Sequence, residues 1–288
     1  MGEIEDVVFR CTGAEAVSVR ALGGGDAGDA RSVRLADGRE VFVKTNPDGM
    51  PGAVAAEAAS LAWLAEPGMV PVPAVLGSTE RHLVTEHLGS GSPTAAAAEE
   101  LGRGLAGLHA AGAAAHGAPP PGGPADAWIG LAPMRDEPRP DWPEFYADLR
   151  VRPYLRGAVD AGLLGGEAAA LVDRVCERLP GLEGADEPPS RLHGDLWAGN
   201  VHWDGHRAWL IDPAGHGGHR ETDLAMLALF GCPHLERVLA AYQEVRPLAE
   251  GWRERVGVHQ LFPLLVHAVL FGGGYARQAV AAARAALS

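Results

Sequence analysis

Residues 193–200 carry side chains suited to chemistry, in the order His-Gly-Asp-Leu-Trp-Ala-Gly-Asn. Four residues separate Asp195 from Asn200, and a further carboxylate, Asp212, follows the apolar run Trp209-Leu210-Ile211. An Asp-x-x-x-x-Asn spacing with a later aspartate is typical of sites that transfer phosphoryl groups. Such a site must neutralise a triphosphate with Mg²⁺ while it holds the attacking hydroxyl in line. We therefore predict that Asp195 accepts the hydroxyl proton and that Asn200 and Asp212 coordinate Mg²⁺.

Turn formation is the alternative interpretation, because Asp, Asn and Gly dominate loops for reasons unrelated to catalysis. Residues earlier in the chain favour the catalytic interpretation, because they occur in the order found in kinases. The glycines Gly23, Gly24 and Gly25 fall between two predicted strands, where backbone amides could approach the phosphates of ATP. Lys44 ends the third predicted strand and could contact the phosphates, oriented by Glu57 on the next helix. The glycine segment at residues 23–25 is not a Walker A loop, because no Gly-Lys-Ser/Thr follows it at the required spacing.

The segment Thr85-Glu86-His87-Leu88 joins the predicted strands to a later region that is mostly helical. In a protein with the ATP site predicted above, the adenine ring would bind at the junction between the strands and the helical region. We expect the backbone atoms of Glu86 and Leu88 to contact the base, as parts of the cofactor site. A plain edge strand followed by a linker is the alternative for this segment.

The elements that must position these residues divide the chain into two regions. Residues 17–46 predict three antiparallel strands, with an Asp37-Gly38 turn in the second hairpin. Residues 54–64 predict a helix, and one or two more strands follow before residue 89. We expect an α+β, two-lobed fold. Residues 1–89 would form a nucleotide-binding lobe with a five-stranded antiparallel sheet and one main helix, and residues 90–288 a larger, mainly helical lobe with the catalytic loop and acceptor site.

Composition and charge exclude several classes of protein. The 288 residues are 47% hydrophobic and 21% charged, which is ordinary for a globular protein. A net charge of −13 argues against nucleic-acid and anionic-membrane partners; it is compatible with a cationic small molecule or may serve solubility alone. The three cysteines are widely spaced, the first residues are acidic, and the longest apolar run, residues 261–271, is too short to cross a bilayer. We expect a cytoplasmic monomer or weak dimer.

Residues 192–200, Leu-His-Gly-Asp-Leu-Trp-Ala-Gly-Asn, resemble the motif of the fructosamine kinase family, which includes the ketosamine-3-kinases. Trp197 is the distinguishing residue, since related aminoglycoside and choline kinases commonly carry other residues there. The resemblance spans nearly the whole chain. Its further matches are residues 42–46 (Phe-Val-Lys-Thr-Asn), 128–130 (Trp-Ile-Gly), 142–146 (Trp-Pro-Glu-Phe-Tyr), 211–214 (Ile-Asp-Pro-Ala) and 218–226 (Gly-His-Arg-Glu-Thr-Asp-Leu-Ala-Met).

The resemblance implies a protein-kinase-like fold related to the aminoglycoside phosphotransferases. It also implies transfer of the ATP γ-phosphate, with Mg²⁺, to the 3-hydroxyl of the sugar in a ketosamine such as fructoselysine. The acceptor could be a small ketosamine or a glycated lysine, and the unstable product would release the free amine, which is protein deglycation. The alternatives are a kinase of the same fold for an aminoglycoside or an amino alcohol such as choline, and a pseudokinase. The chain departs from the family pattern at Asp26-Ala27-Gly28, where many members of the family have Cys-Ile-Asn.

Candidate acceptor residues come from two places in the sequence. Trp197 could present an aromatic face to a sugar or a cation, although it could instead pack the catalytic loop. The second place is the loop that holds His216, His219, Arg220 and Glu221, in which a histidine could equally serve a turn. A metal site built on His216 and His219 is disfavoured, because no second pair of ligands accompanies them.

Overall fold

The first region of the chain is a β-sheet with a helix on each side. The computed structural model describes residues 2–23 and 29–288. Helix α1 (Glu3–Thr12) precedes the sheet, and helix α2 (Ala53–Ala65) follows its third strand. The strands are antiparallel in the spatial order β1-β2-β3-β5-β4; they are β1 (Ala16–Leu22), β2 (Asp29–Leu35), β3 (Glu40–Thr45), β4 (Val75–Ser78) and β5 (His82–Glu86).

Strand β3 shows why the sheet has one apolar face and one functional face. Side chains alternate along a strand, so Val41 and Val43 point to one side and Phe42 and Lys44 to the other. The valines are buried against α1 in a small apolar core. Phe42 and Lys44 instead line a large cleft on the opposite side. The strand alternation therefore directs Lys44 away from the core and into the cleft.

Helix α1 was not anticipated from the sequence. Its first turn is acidic, with Glu3, Glu5 and Asp6, which suits the positive end of a helix dipole. Val7 and Val8 are its only buried residues, so it attaches to the sheet through a narrow apolar stripe. A stripe that short gives a weak periodic signal in the sequence.

The second region is mainly helical, as the sequence predicts, and completes the α+β arrangement. Its helices are α3 (Ala95–Ala110), α4 (Trp142–Phe145), α5 (Arg152–Asp160), α6 (Gly166–Arg178), α7 (Glu221–Leu229), α8 (Leu235–Val245), α9 (Trp252–Phe271) and α10 (Gly273–Leu287). Three antiparallel two-stranded ribbons are inserted among them. They are β6 (Asp126–Ile129) with β7 (Ala132–Arg135), β8 (Ser190–Leu192) with β11 (His216–Gly218), and β9 (Val201–Trp203) with β10 (Ala208–Leu210).

One apolar core joins the two regions. Leu61 and Leu64 of α2 are fully buried in the same cluster as Leu105 of α3. That cluster also contains Leu196 of the 193–200 segment and Leu210 of β10. The helix that carries Glu57 is thus packed against the elements that carry Asp195 and Asp212. The exact boundary near residue 89 stays a prediction. In the described part of the chain, none of the helices meets the length and apolarity needed to cross a bilayer.

Candidate active site

A cleft of about 1010 Å³ contains the residues that the sequence analysis selected for phosphoryl transfer. The sheet contributes Lys44 and helix α2 contributes Glu57. The opposite side holds Asp195, Asn200 and Asp212. These five residues come from positions far apart in the chain and meet around one space.

The turn that presents Asp195 depends on glycine. Gly194 has φ 82°, and a Cβ placed on it would lie 2.0 Å from the backbone oxygen of Ala214. Any other residue would therefore be strained and would clash. The buried carboxylate of Asp223 accepts hydrogen bonds from the backbone N–H groups of His193 (2.8 Å) and Gly194 (3.0 Å). Asp223 therefore fixes the start of residues 193–200, which we call the catalytic segment after the role predicted for Asp195.

His193 fixes the same segment from the side. Its Nδ1 accepts a hydrogen bond from the backbone N–H of Asp195 (3.2 Å), and its Nε2 donates to the backbone oxygen of Ile211 (2.9 Å). Burial lowers the pKa of His193, which keeps the ring neutral and suited to one donor and one acceptor role. The imidazole thus links Asp195 to the strand end that carries Asp212.

Asp195 and Asn200 are in direct contact. The Asn200 Nδ2 group donates to the backbone oxygen of Asp195 (2.8 Å) and to its carboxylate Oδ2 (3.1 Å). Because the amide nitrogen is used in this way, the amide oxygen of Asn200 is the atom left to bind a metal ion. Burial raises the pKa of Asp195 to about 7, and the nearby carboxylates of Asp212 and Asp223 act in the same direction. A carboxylate with that pKa is suited to accept a proton near neutral pH.

Lys44 connects the sheet, helix α2 and Asp212. Its Nζ lies 2.9 and 3.1 Å from the two Glu57 carboxylate oxygens and 2.9 Å from Asp212 Oδ1. Burial alone would lower the pKa of Lys44, but the two carboxylates outweigh it and raise the pKa above its usual value. Lys44 is therefore a fixed positive charge beside the carboxylate predicted to bind metal.

The backbone of Asp212 is strained. Its φ is 52°, and it is one of two non-glycine residues with positive φ in residues 2–23 and 29–288. Such conformations cost free energy and often occur at functional sites. The Asp212 side chain keeps 45% of its surface exposed, so carboxylate oxygen faces the cleft even while Lys44 is bound.

The predicted nucleotide contacts are only partly described by the structure. Gly23 lines the cleft, whereas Gly24 and Gly25 lie outside the described residues, as does the Asp26-Ala27-Gly28 departure. Glu86 is the last residue of β5 and is tied to Ala74 through its backbone N–H (3.0 Å) and its carboxylate (2.8 Å). Neither Glu86 nor Leu88 is among the described residues that line the cleft, so their adenine contacts stay a prediction.

His216 and His219 are not at the cleft, which corrects the expectation that they contact the acceptor. Each is 1% exposed. His216 donates from Nδ1 to the backbone oxygen of Ala214 (2.9 Å) and packs against Phe145. His219 donates from Nε2 to the oxygen of Gly184 (2.8 Å), and its Nδ1 accepts from the backbone of Glu221 (3.2 Å). Their polar atoms serve the interior of the helical region.

Arg220 and Glu221 are also buried, and the same correction applies to them. Arg220 forms a two-pronged ion pair with Glu187 at 2.5 and 2.6 Å. Glu221 pairs with Arg255 at 2.9 and 2.6 Å, and both side chains are 4% exposed. The sequence suggested a polar surface loop because the partners Glu187 and Arg255 are more than thirty residues away.

His219, Glu221 and His259 bring three possible metal-ligand atoms within 4.8 Å of one another. Their hydrogen bonds argue against a metal ion. Both ring nitrogens of His219 already bond to the backbone, and Arg255 occupies the Glu221 carboxylate. A cation placed there would also be repelled by the Arg255 guanidinium. The cluster is a buried polar network that supports α7 and α9.

Trp197 does line the cleft, two residues after Asp195. Its ring lies over Gly199, where a Cβ would come within 2.2 Å of the indole. Further aromatic residues of the cleft were not selected from the sequence. They are Trp128, Phe230, Phe271 and Tyr275. Only Trp128 among these four has a signal in the sequence, because it lies in residues 128–130, which match the family motif.

Fold and site together define a phosphotransferase of the kinase-like class. The fold matches that of an aminoglycoside phosphotransferase, APH(4)-Ia, solved as a ternary complex with AMP-PNP and hygromycin B (14% identity, TM-score 0.66, 99% of each chain covered). At that identity the likeness concerns the fold alone, and it confirms the predicted fold class.

The chain belongs to the fructosamine kinase family, whose model matches residues 3–288. A solved Thermobifida fusca protein named "putative fructosamine-3-kinase" is 49% identical, with a TM-score of 0.92 over 99% of this chain and 98% of that one. An Enterococcus faecium protein named "probable ketoamine kinase" is 32% identical over 88% of this chain and 90% of its own length. The family predicted from residues 192–200 is therefore confirmed.

Glu221→Gln tests the structural role of the buried network. The change leaves the Arg255 guanidinium buried without its counter-charge, so we expect the free energy of unfolding to fall by about 3–5 kcal/mol. The KM for the acceptor, measured under conditions in which the variant is folded, should stay unchanged. Urea denaturation and initial-rate kinetics measure the two quantities, with Glu177→Gln on the exposed face of α6 as the matched control. A raised acceptor KM with normal stability would restore Glu221 to the acceptor site.

The pH dependence of kcat/KM tests the proton-accepting role of Asp195. Its carboxylate must be ionised to accept a proton, and its pKa is about 7, so activity should fall as the pH drops below about 7. Asp195→Asn should lose most turnover and also lose this acidic limb. A wild-type profile that is flat down to pH 5 would contradict the assignment.

Proposed function

We propose that this protein transfers the γ-phosphoryl group of ATP to the 3-hydroxyl of the sugar in a ketosamine. The observation that carries the proposal is the meeting of Asp195, Asn200 and the Lys44-bound Asp212 in one cleft. These groups supply a proton acceptor, oxygen ligands for a metal ion and a fixed cation for phosphate. Membership of the fructosamine kinase family supports the choice of a ketosamine.

The reaction follows from the positions of these side chains. The acceptor hydroxyl oxygen attacks the γ-phosphorus, and the bond from that phosphorus to the bridging oxygen of ADP breaks. Asp195 takes the hydroxyl proton. Asn200 holds the Asp195 carboxylate in place through its 3.1 Å hydrogen bond, and Glu57 holds Lys44 towards the phosphates. ADP and the phosphorylated ketosamine then leave.

Magnesium fits the donor atoms on this side of the cleft. The Asn200 amide oxygen and the partly exposed Asp212 carboxylate are oxygen donors, which Mg²⁺ prefers over nitrogen or sulfur. When bound, Mg²⁺ would neutralise charge that develops on the phosphate oxygens. Lys44 already neutralises part of the Asp212 charge and keeps that carboxylate ordered.

Two alternatives compete with this proposal. An aminoglycoside or amino-alcohol kinase would differ only in its acceptor contacts, and the family membership and Trp197 favour a ketosamine over both. A pseudokinase is disfavoured, because all five residues are present. Lys44 bonds to Glu57 and Asp212, and Asn200 bonds to Asp195.

Several expectations about setting and partners belong to this proposal. Unpaired cysteines at Cys11, Cys176 and Cys232 favour a reducing, cytoplasmic location. The acidic net charge favours a small-molecule or glycated-lysine acceptor over nucleic acid or a membrane surface. A monomer or weak dimer stays a prediction.

A panel of acceptors tests the proposal. ADP release is measured with fructoselysine, a ribulosamine, kanamycin and choline, each with and without Mg²⁺. We expect turnover with one or both ketosamines, dependent on Mg²⁺, and none with choline. Asp212→Asn should weaken Mg²⁺-dependent ATP binding and serves as the site control. Activity confined to kanamycin or choline would contradict the ketosamine assignment, and no ATP turnover with any acceptor would favour the pseudokinase.

A further inference from the structure

A row of aromatic rings in contact with one another lines part of the cleft. We call it the aromatic wall; its members are Trp197, Phe230, His267, Phe271 and Tyr275, and all of them line the cleft. The row begins at Trp197, whose ring meets Phe230 edge-on with centroids 6.1 Å apart. Phe230 lies 4.7 Å from His267 and 6.3 Å from Tyr275.

At the outer end of the aromatic wall, Tyr275 packs partly against the core of the helical region, but Phe271 is not part of that core. Phe271 closes the row, 6.4 Å from the Tyr275 ring, and is 56% exposed. The two rings come from the end of α9 and the start of α10, which a break at Gly272 (φ 101°) separates. Phe230 and Tyr275 are only partly buried. Large aromatic side chains kept in an open cleft indicate a binding surface.

The charges around the cleft indicate what kind of group the wall binds. Its described lining residues include four carboxylates, Glu57, Asp136, Asp195 and Asp212, but only one Lys or Arg, which is Lys44. Asp136 is neutralised by the buried Arg150, and three carboxylates remain against one ammonium. One Mg²⁺ offsets only part of the negative charge of ATP, so the bound nucleotide adds no net positive charge to the cleft. The cleft therefore favours a cationic acceptor, and aromatic faces attract cations.

The chemistry of a ketosamine places its cation close to the reacting hydroxyl. The amine is attached to C1, and only C1 and C2 separate it from C3, which carries the hydroxyl. With the 3-hydroxyl at Asp195, the amine must bind beside the catalytic segment. The aromatic wall starts at that place with Trp197 and Phe230. Substituents on the amine would then extend towards Phe271 and the opening.

We propose that Phe230, Tyr275 and Phe271 hold the protonated amine of the acceptor and the first carbon atoms attached to it. This inference rests on the proposed function and adds the residues that select the amine end of the substrate. The inner rings contact the ammonium group through their faces. Phe271, at the rim, contacts the substituent and sets how large an amine the enzyme accepts.

Leucine substitutions in the aromatic wall test the proposal, because leucine keeps apolar bulk and removes the aromatic face. Tyr275→Leu should raise the KM for fructoselysine roughly five- to tenfold, as expected for loss of a cation–aromatic contact, with the KM for ATP unchanged. Phe271→Leu keeps apolar bulk beside the substituent and should raise this KM less. Phe271→Tyr and Tyr275→Phe keep an aromatic ring and should leave the KM for fructoselysine close to the wild-type value. Val269→Ala is the matched control, since Val269 is 39% exposed on the same helix but does not line the cleft. Thermal melting verifies that each variant is folded.

A neutral analogue separates recognition of the amine from recognition of the sugar. In 1-O-butylfructose an ether oxygen replaces the nitrogen, so the cation is lost and the sugar is kept. We expect a poorer KM for this analogue and no further loss in the leucine variants. Equal losses with both acceptors, or no loss with either, would overturn the assignment to the amine. A wild-type enzyme that turns over neither ketosamine would instead overturn the proposed function itself.

Discussion

The ion pairs of Lys44 are the interaction on which the site depends. One ammonium group binds Glu57 from helix α2 and Asp212 from the helical region, with all three distances between 2.9 and 3.1 Å. Lys44 and Glu57 are largely buried, so their charges act in a medium that screens them poorly. Removing Lys44 would leave the buried Glu57 carboxylate without its counter-charge. The pairing thus keeps the sheet, α2 and the side of the cleft that carries Asp212 in one arrangement.

The catalytic segment is held by a second set of buried polar contacts. Asp223 accepts two backbone hydrogen bonds from it and also lies 3.2 Å from His109 Nε2, whose other ring nitrogen meets the Tyr242 hydroxyl at 2.9 Å. None of these three side chains reaches the cleft, yet they fix where Asp195 is presented. Their function is to keep a short irregular segment rigid, which a reaction that depends on alignment requires.

Local sequence patterns were sufficient to predict which charged residues meet in the cleft, but not which aromatic residues line the rest of it. Lys44, Glu57, Asp195 and Asp212 follow a fixed order and spacing, and strand alternation directs Lys44 to the cleft. The polar segment around Arg220 was assigned to the acceptor wrongly, because its ion-pair partners are distant in sequence. Phe230 and Tyr275 were missed for a related reason: their proximity arises only from the packing of α7, α9 and α10, which no local pattern reveals.

The position of the phosphate group on the product shows whether the enzyme phosphorylates the 3-hydroxyl of the ketosamine. Fructoselysine would be treated with the enzyme and Mg²⁺-ATP, and the product analysed by phosphorus–proton correlation NMR before it decomposes. We expect a correlation between phosphorus and the proton on C3. Phosphate attached to any other carbon of the sugar, or to the lysine part, would rule out transfer to the 3-hydroxyl.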